Sequence, residues 1–222
     1  MTGSTSRVPR PFSALLWDMD GLLVDSEPLW YLVERDFARR RGGDFTEEHA
    51  RENIGKGIRN TVRFMHELFG FEVDVDRDAD ELIADFMART DELTLKPGAT
   101  ELLAKAGRSR TMALASSSHR RLVEKTLAHF ELRDRFDALV SGEDVKQPKP
   151  APDIFLRAAE LLGVPIAECV VLEDSVAGVT AGRAAGAIVI AVPEGPLEGR
   201  PFGDFADVVV GDLFEAARWL GL

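Results

Sequence analysis

Residues 17–27, WDMDGLLVDSE, place Asp18, Asp20, Asp25 and Glu27 directly behind an apolar run. Carboxylates a few ångströms apart repel, so such a strand end is either a solvated turn or a seat for a cation. Asp18 and Asp20 stand two positions apart, and in an extended chain such residues share a face. Three further stretches carry reactive groups: Ser116-Ser117-Ser118 in ALASSSH, Lys149 in QPKPAPD, and Glu173-Asp174 in VVLEDS. Asp18, Asp20 and Asp174 together would form an oxygen cluster suited to Mg²⁺, a hard ion that takes carboxylates, keeps water and accepts phosphate oxygens. The ion would neutralise the crowded carboxylates. Lys149 would add a second positive charge, and Ser116 with nearby backbone N–H groups would donate to an anion. A carboxylate attacks a phosphoryl group only where the substrate's own charge is offset. The set therefore fits phosphoryl transfer, with Asp18 as nucleophile and Asp20 as proton donor and acceptor.

These residues need a scaffold that brings four distant loops together. The second half of the chain alternates short apolar runs with helical patterns: TMALASS (111–117), FDALVSG (136–142), CVVLED (169–174), AIVIAV (187–192) and ADVVVG (206–211) as strands, with helices between them. With ALLW (14–17) this makes about six strands, the pattern of an α/β fold with a doubly wound, Rossmann-like, mostly parallel sheet covered on both faces. Ligands in such sheets bind outside the carboxyl ends of the strands, where Asp18 and Asp20, Ser116, Lys149 and Glu173-Asp174 all fall. The alternation breaks between the first two strands. Residues 28–93 read as helices only (LWYLVERDFARRR, TVRFMHELFG, ADELIADFMARTDEL), too much for a loop and enough for a small inserted domain. The expected organisation is a flexible tail at 1–11, a core of 12–27 and 94–222, and an α-helical cap of 28–93.

A net charge of −11 argues against nucleic acid or an anionic membrane as partner. The opening MTGSTSRVPRP lacks the apolar segment of a signal peptide, and no apolar stretch approaches a membrane span. The reading is a cytoplasmic protein. The single cysteine, Cys169, excludes an internal disulfide and a cysteine-based zinc site; within ECVVLED it reads as a buried, inert thiol.

Taken in order, DMDGLLVDSE, ASSS, KPAPD and LEDS resemble the four motifs of the haloacid dehalogenase superfamily, in the helical-cap phosphatase and β-phosphoglucomutase-like branch. The resemblance runs from about residue 12 to 220. It implies Asp18 as nucleophile and Asp20 as general acid/base, with the Asp20 backbone carbonyl as a metal ligand. It implies Ser116 and Lys149 as phosphate ligands, with Ser117 beside them, and Asp174 as a Mg²⁺ ligand with Glu173 supporting the metal. Arg59, in IGKGIRNT, matches the cap position that holds the far end of the substrate. The implied activity is Mg²⁺-dependent hydrolysis of a small phosphorylated metabolite through an aspartyl-phosphate, by a chain whose site is complete in a monomer. DGLLVDSEPLW is similar to hexose-phosphate phosphatases, which points to a sugar phosphate.

The alternatives are a phosphosugar mutase and a phospho-ligand-binding module without turnover. Mutases of this branch carry a histidine ten residues after the second aspartate of the first motif; here that position is Trp30, which has no titratable nitrogen near neutral pH. A metal-free dehalogenase is disfavoured because Asp20 is present. Other motifs read as structural. DVDRDAD (74–80) lacks the glycine and glutamate of a calcium loop and reads as an acidic linker or helix start. Ser118 reads as an N-cap and His119 as a first-turn residue near the site. His49, His66 and His129 read as structural or surface residues. The glycine spacing of GVTAGRAAG reads as close helix–sheet packing, and Asp25 as a hydrogen-bonding partner at the cap hinge.

Overall fold

A computed structural model describes residues 8–53, 57–72, 74–107, 109–194 and 201–222. Most of the expected tail, up to residue 7, lies outside the described residues. The chain divides into two compact units: one is formed by the chain up to Asp25 together with Leu95–Leu222, the other by Ser26–Thr94. The helical unit is thus a residue or two wider at each end than the 28–93 read from sequence.

In chain order the elements are β1 (Ala14–Trp17), β2 (Val24–Asp25), α1 (Glu27–Arg40), α2 (Glu47–Asn53), α3 (Ile58–Phe69) and α4 (Val75–Ala88). There follow β3 (Thr94–Leu95), α5 (Ala99–Ala106), β4 (Thr111–Ala115), α6 (Arg120–His129), β5 (Ala138–Val140) and α7 (Asp153–Leu162). The chain closes with β6 (Cys169–Glu173), α8 (Val176–Ala185), β7 (Ile188–Ala191), α9 (Phe202–Phe205), β8 (Val208–Val209) and α10 (Leu213–Leu220).

The first unit is built on a six-stranded sheet of order β5-β4-β1-β6-β7-β8, with β1 pairing parallel to both β4 and β6. Every pairing described in this sheet is parallel. Strands buried on both faces become continuous apolar runs, as in Leu15-Leu16-Trp17 and Val170-Val171-Leu172, all fully buried. Strand order reverses beside β1, which makes a crevice at the carboxyl ends of β1, β4 and β6. Register decides what meets there. Trp17 is opposite Leu114 on one side and Leu172 on the other, so Asp18, just past β1, comes level with Ala115 and Glu173, the last residues of β4 and β6. The strands are shorter than the sequence suggests: β4 ends at Ala115, β5 spans three residues, and the serines after Ala115 belong to a loop.

Helix α8 shows why its residues are small. Ser175 caps it by accepting from Gly178 N at 3.0 Å. A Cβ on Gly178 would lie 1.8 Å from the Glu173 carboxylate, and one on Gly182 would press on Val171 and Val189. The glycine spacing is helix–sheet packing. Cys169 is buried on β6, and burial pushes its thiol up to about 11, which keeps it protonated and inert.

In the second unit α4 packs on both α1 and α3. The buried residues recur every three to four positions: Leu29, Val33 and Phe37 on α1, Val62 and Met65 on α3, Leu82, Ile83 and Phe86 on α4. The short helix α2 is absent from the sequence reading, because EEHAREN has almost no apolar period. Asp74 caps α4 by accepting from Arg77 N at 3.1 Å, so DVDRDAD is a helix start. Asp78 on α4 is fully buried and is held by Arg41 at 3.2 Å, Arg77 at 3.2 Å and His66 at 3.3 Å, which makes His66 structural. Among the described residues no helix is long and apolar enough to cross a membrane.

Candidate active site

Asp18 follows β1 and continues its ladder, its N–H donating to Leu172 O at 3.1 Å. The chain then folds back tightly: Leu23 N and Val24 N both donate to Met19 O at 3.0 Å. Gly21 permits this with φ of 82°, and a Cβ there would lie 2.3 Å from Asp174 Oδ2. The first motif turns on glycine because its backbone runs against a carboxylate.

Lys149, from the loop before α7, meets the ends of β1, β4 and β6. Its ammonium donates to Asp18 Oδ1 at 2.5 Å, Glu173 Oε1 at 2.6 Å and Ala115 O at 3.1 Å. It also sits 5.1 Å from the centroid of the Phe155 ring. All three ammonium hydrogens are spoken for, and the side chain is 6% exposed. Burial favours the neutral amine, but Asp18 and Glu173 outweigh it and hold Lys149 protonated.

Glu173 is fully buried and its second oxygen is also saturated. Oε2 accepts from Asp174 N at 3.1 Å, Ser175 N at 3.0 Å and Ser175 Oγ at 2.9 Å. Such a carboxylate positions Lys149 and shapes the loop that presents Asp174. Oxygens of Asp18, Glu173 and Asp174 lie within 4.8 Å of one another. Burial, with repulsion from Glu173 and Asp20 and against the pull of Lys149, pushes the Asp18 carboxyl well up. Burial, then Glu173 and Asp18, does the same to Asp174. The donor set fits a hard dication: it is all oxygen and anionic, and its one ammonium is already committed to Asp18 and Glu173.

Asp20 projects elsewhere. Its Oδ2 accepts from Ser118 Oγ at 2.7 Å and from Ser116 Oγ at 3.3 Å, and Ser118 N donates to Ser116 Oγ at 3.0 Å. The Asp20 side chain is thus outside the three-carboxylate group. Ser116 is buried, whereas Ser117 is exposed, and no described hydrogen bond joins its side chain to the other site residues. Ser118 is not an N-cap: α6 starts at Arg120 with His119 at its cap position, and the Ser118 hydroxyl is spent on Asp20. His119 pairs instead with Glu143 at 3.2 Å. The serine loop is braced by the next one. Ser116 N donates to Val140 O at 3.0 Å, Gly142 N donates to Ser118 O at 3.1 Å, and a Cβ on Gly142 would lie 2.3 Å from Ser117 O.

The structure therefore brings Asp18, Asp20, Ser116, Lys149, Glu173 and Asp174 to one edge of one sheet. Asp25 stays apart and faces Lys96 at 3.6 Å. Arg59 belongs to the helical unit, on α3, and pairs with Asp76 at 2.8 Å.

A family model of haloacid dehalogenase-like hydrolases matches residues 12–186. The chain belongs to that family. Hexitol phosphatase B of Escherichia coli (strain K12) is 36% identical over 211 residues, which cover 93% of this chain and 95% of that protein. Phosphorylated carbohydrates phosphatase of Thermotoga maritima is 32% identical over 181 residues, 78% of this chain and 81% of its own length. Among solved structures, CbbY of Rhodobacter sphaeroides, in complex with phosphate, superposes with a TM-score of 0.83 at 26% identity, covering 95% of this chain and 100% of that one. Within this haloacid dehalogenase-like chain, sequence reasoning missed Ser118, the Ala115 carbonyl and Ser175. The alternation Ser116-x-Ser118 was the available signal for the first; Ser175 touches Glu173 two residues away and caps the next helix, so its signal was local, whereas the Ala115 carbonyl meets Lys149 only through the fold.

Proposed function

We propose that this chain is a Mg²⁺-dependent phosphatase of a phosphorylated sugar or sugar alcohol, working through an aspartyl-phosphate on Asp18. The observation that carries the reading is the buried Lys149 ammonium 2.5 Å from Asp18 Oδ1, at the sheet edge that also presents Asp174 and Asp20. The similarity to hexitol phosphatase B and to the carbohydrate phosphatase supports the substrate class.

Asp18, Asp174 and the Asp20 backbone carbonyl would hold Mg²⁺. When bound, the ion offsets the negative charge of the phosphoryl group. The chain's own residues do the rest. Lys149 would exchange one of its three present hydrogen bonds, and Ser116 its bond to Asp20, for phosphoryl oxygens, so that both bind and orient the group, with Ser117 at the loop edge. A carboxylate oxygen of Asp18 forms a bond to phosphorus while the bond from phosphorus to the sugar oxygen breaks, and Asp20 gives that oxygen its proton. Asp20, now ionised, takes a proton from water as the water oxygen bonds to phosphorus. The Asp18–phosphorus bond breaks, releasing inorganic phosphate and restoring both aspartates. Glu173 holds Lys149 and the Asp174 loop in register throughout.

Hydrolase is favoured over mutase by Trp30. Its indole stacks on Phe86, with centroids 4.1 Å apart and planes at 25°, at the position where the mutases carry a proton-handling histidine. The test is a phosphate-release screen with Mg²⁺ over sugar, sugar-alcohol, nucleotide and glycolytic phosphates. A parallel incubation follows β-glucose 1-phosphate with a trace of glucose 1,6-bisphosphate. Phosphate should appear from hexose or hexitol monophosphates. Glucose 6-phosphate forming much faster than phosphate would establish the mutase instead.

A further inference from the structure

We infer that Ser118 is a positioning residue for Asp20, and that it divides the work of the serine loop with Ser116. The inference rests on the reading of Asp20 as the acid/base and goes beyond it. The two hydroxyls meet the same carboxylate oxygen at different distances, 2.7 Å for Ser118 and 3.3 Å for Ser116. The short contact lies in the range of a strong O–H···O⁻ bond and the longer one beyond it. No other side chain among the described hydrogen bonds engages the Asp20 carboxylate.

This asymmetry has a chemical use. Ser116 is the hydroxyl assigned to phosphate, and it can turn towards an anion only by giving up Asp20. If both serines held Asp20 equally, phosphate binding would loosen the acid/base at the moment it is needed. With Ser118 carrying the short bond, Ser116 can leave and Oδ2 remains anchored. Ser118 is itself held independently of Ser116, since its carbonyl accepts from Gly142 N at 3.1 Å. Anchoring Oδ2 leaves Oδ1 as the oxygen that meets the leaving group and then the water. Small errors in placing a proton donor cost rate more than affinity.

The experiment compares S118A, S118T and D20N with the wild-type chain, using a hexitol phosphate and p-nitrophenyl phosphate. For the hexitol phosphate S118A should lose about tenfold or more in kcat with KM changed by less than about twofold. An alkoxide needs a proton in order to leave and p-nitrophenolate does not, so kcat/KM for p-nitrophenyl phosphate should fall by less than about twofold. S118T, which keeps the hydroxyl, should restore the rate. Wild-type kcat in S118A overturns the inference, as does an equal loss of kcat/KM on both substrates that threonine does not repair. If D20N keeps wild-type turnover, the acid/base reading itself has failed; an inactive D20N beside a fully active S118A condemns the positioning role alone.

Discussion

Lys149 Nζ stands 2.5 Å from Asp18 Oδ1 across 131 residues of sequence, and its other acidic contact is Glu173. One buried ammonium thus ties the residue after β1 to the last residue of β6 and leaves the second Asp18 oxygen for other business. Exposed ion pairs contribute little, but a buried one that loses a partner leaves an uncompensated charge.

Asp18→Asn should remain folded, because an amide oxygen still accepts from Lys149, yet it should not turn over. An amide cannot form the acyl phosphate. Phosphate release is the measurement; activity within about tenfold of wild type would sink the nucleophile assignment.

Activity should require Mg²⁺ and disappear in EDTA. Asp174→Ala removes one of the three clustered carboxylates and should raise the Mg²⁺ concentration for half-maximal rate by about tenfold or more. Ca²⁺ should inhibit, because its larger, looser coordination misplaces the attacking oxygen. Full activity in EDTA would contradict the metal reading.

Arg59→Ala tests whether the helical unit contributes to substrate choice. The Arg59–Asp76 pair is exposed on both sides, so breaking it should change stability by no more than about 1 kcal/mol. A raised KM or lowered kcat for the natural substrate, with p-nitrophenyl phosphate affected less, is the expected result. Equal loss on both substrates would assign Arg59 to the fold.

Glu34 on α1 supplies a pH test of the helical unit. Burial, then repulsion from Glu27, pushes its carboxyl from 4.5 to about 8. The folded state therefore holds this proton up to about pH 8 while the unfolded state has released it above 4.5. Between those values the folded state binds more protons, so wild-type stability should fall as pH rises through the window. Glu34→Gln removes the burden. Its thermal midpoint should match wild type near pH 4 and exceed it above pH 8, by the equivalent of a few kcal/mol at most. A constant difference across that range would refute the shifted carboxyl.

The amino-acid sequence by itself determined the α/β class, the helical insertion, and the four strand-end motifs. Each is a local matter: apolar runs of four or five residues make buried strands, and polar residues immediately behind them must sit at strand ends. That logic already placed Asp18, Ser116 and Asp174. It did not reach the partners. Lys149 meets Asp18 because β1 lies between β4 and β6 in one particular register. Ser118 reads locally as a helix cap, and becomes a ligand of Asp20 only when the loops after β1 and β4 are adjacent. The resemblance implies for Glu173 a role in supporting the metal, but nothing local shows that one of its oxygens accepts from Lys149, 24 residues away. Local pattern decides which residues reach the sheet edge. Which hydrogens and charges they share there depends on contacts between residues some 25 to 130 positions apart, and only packing creates those.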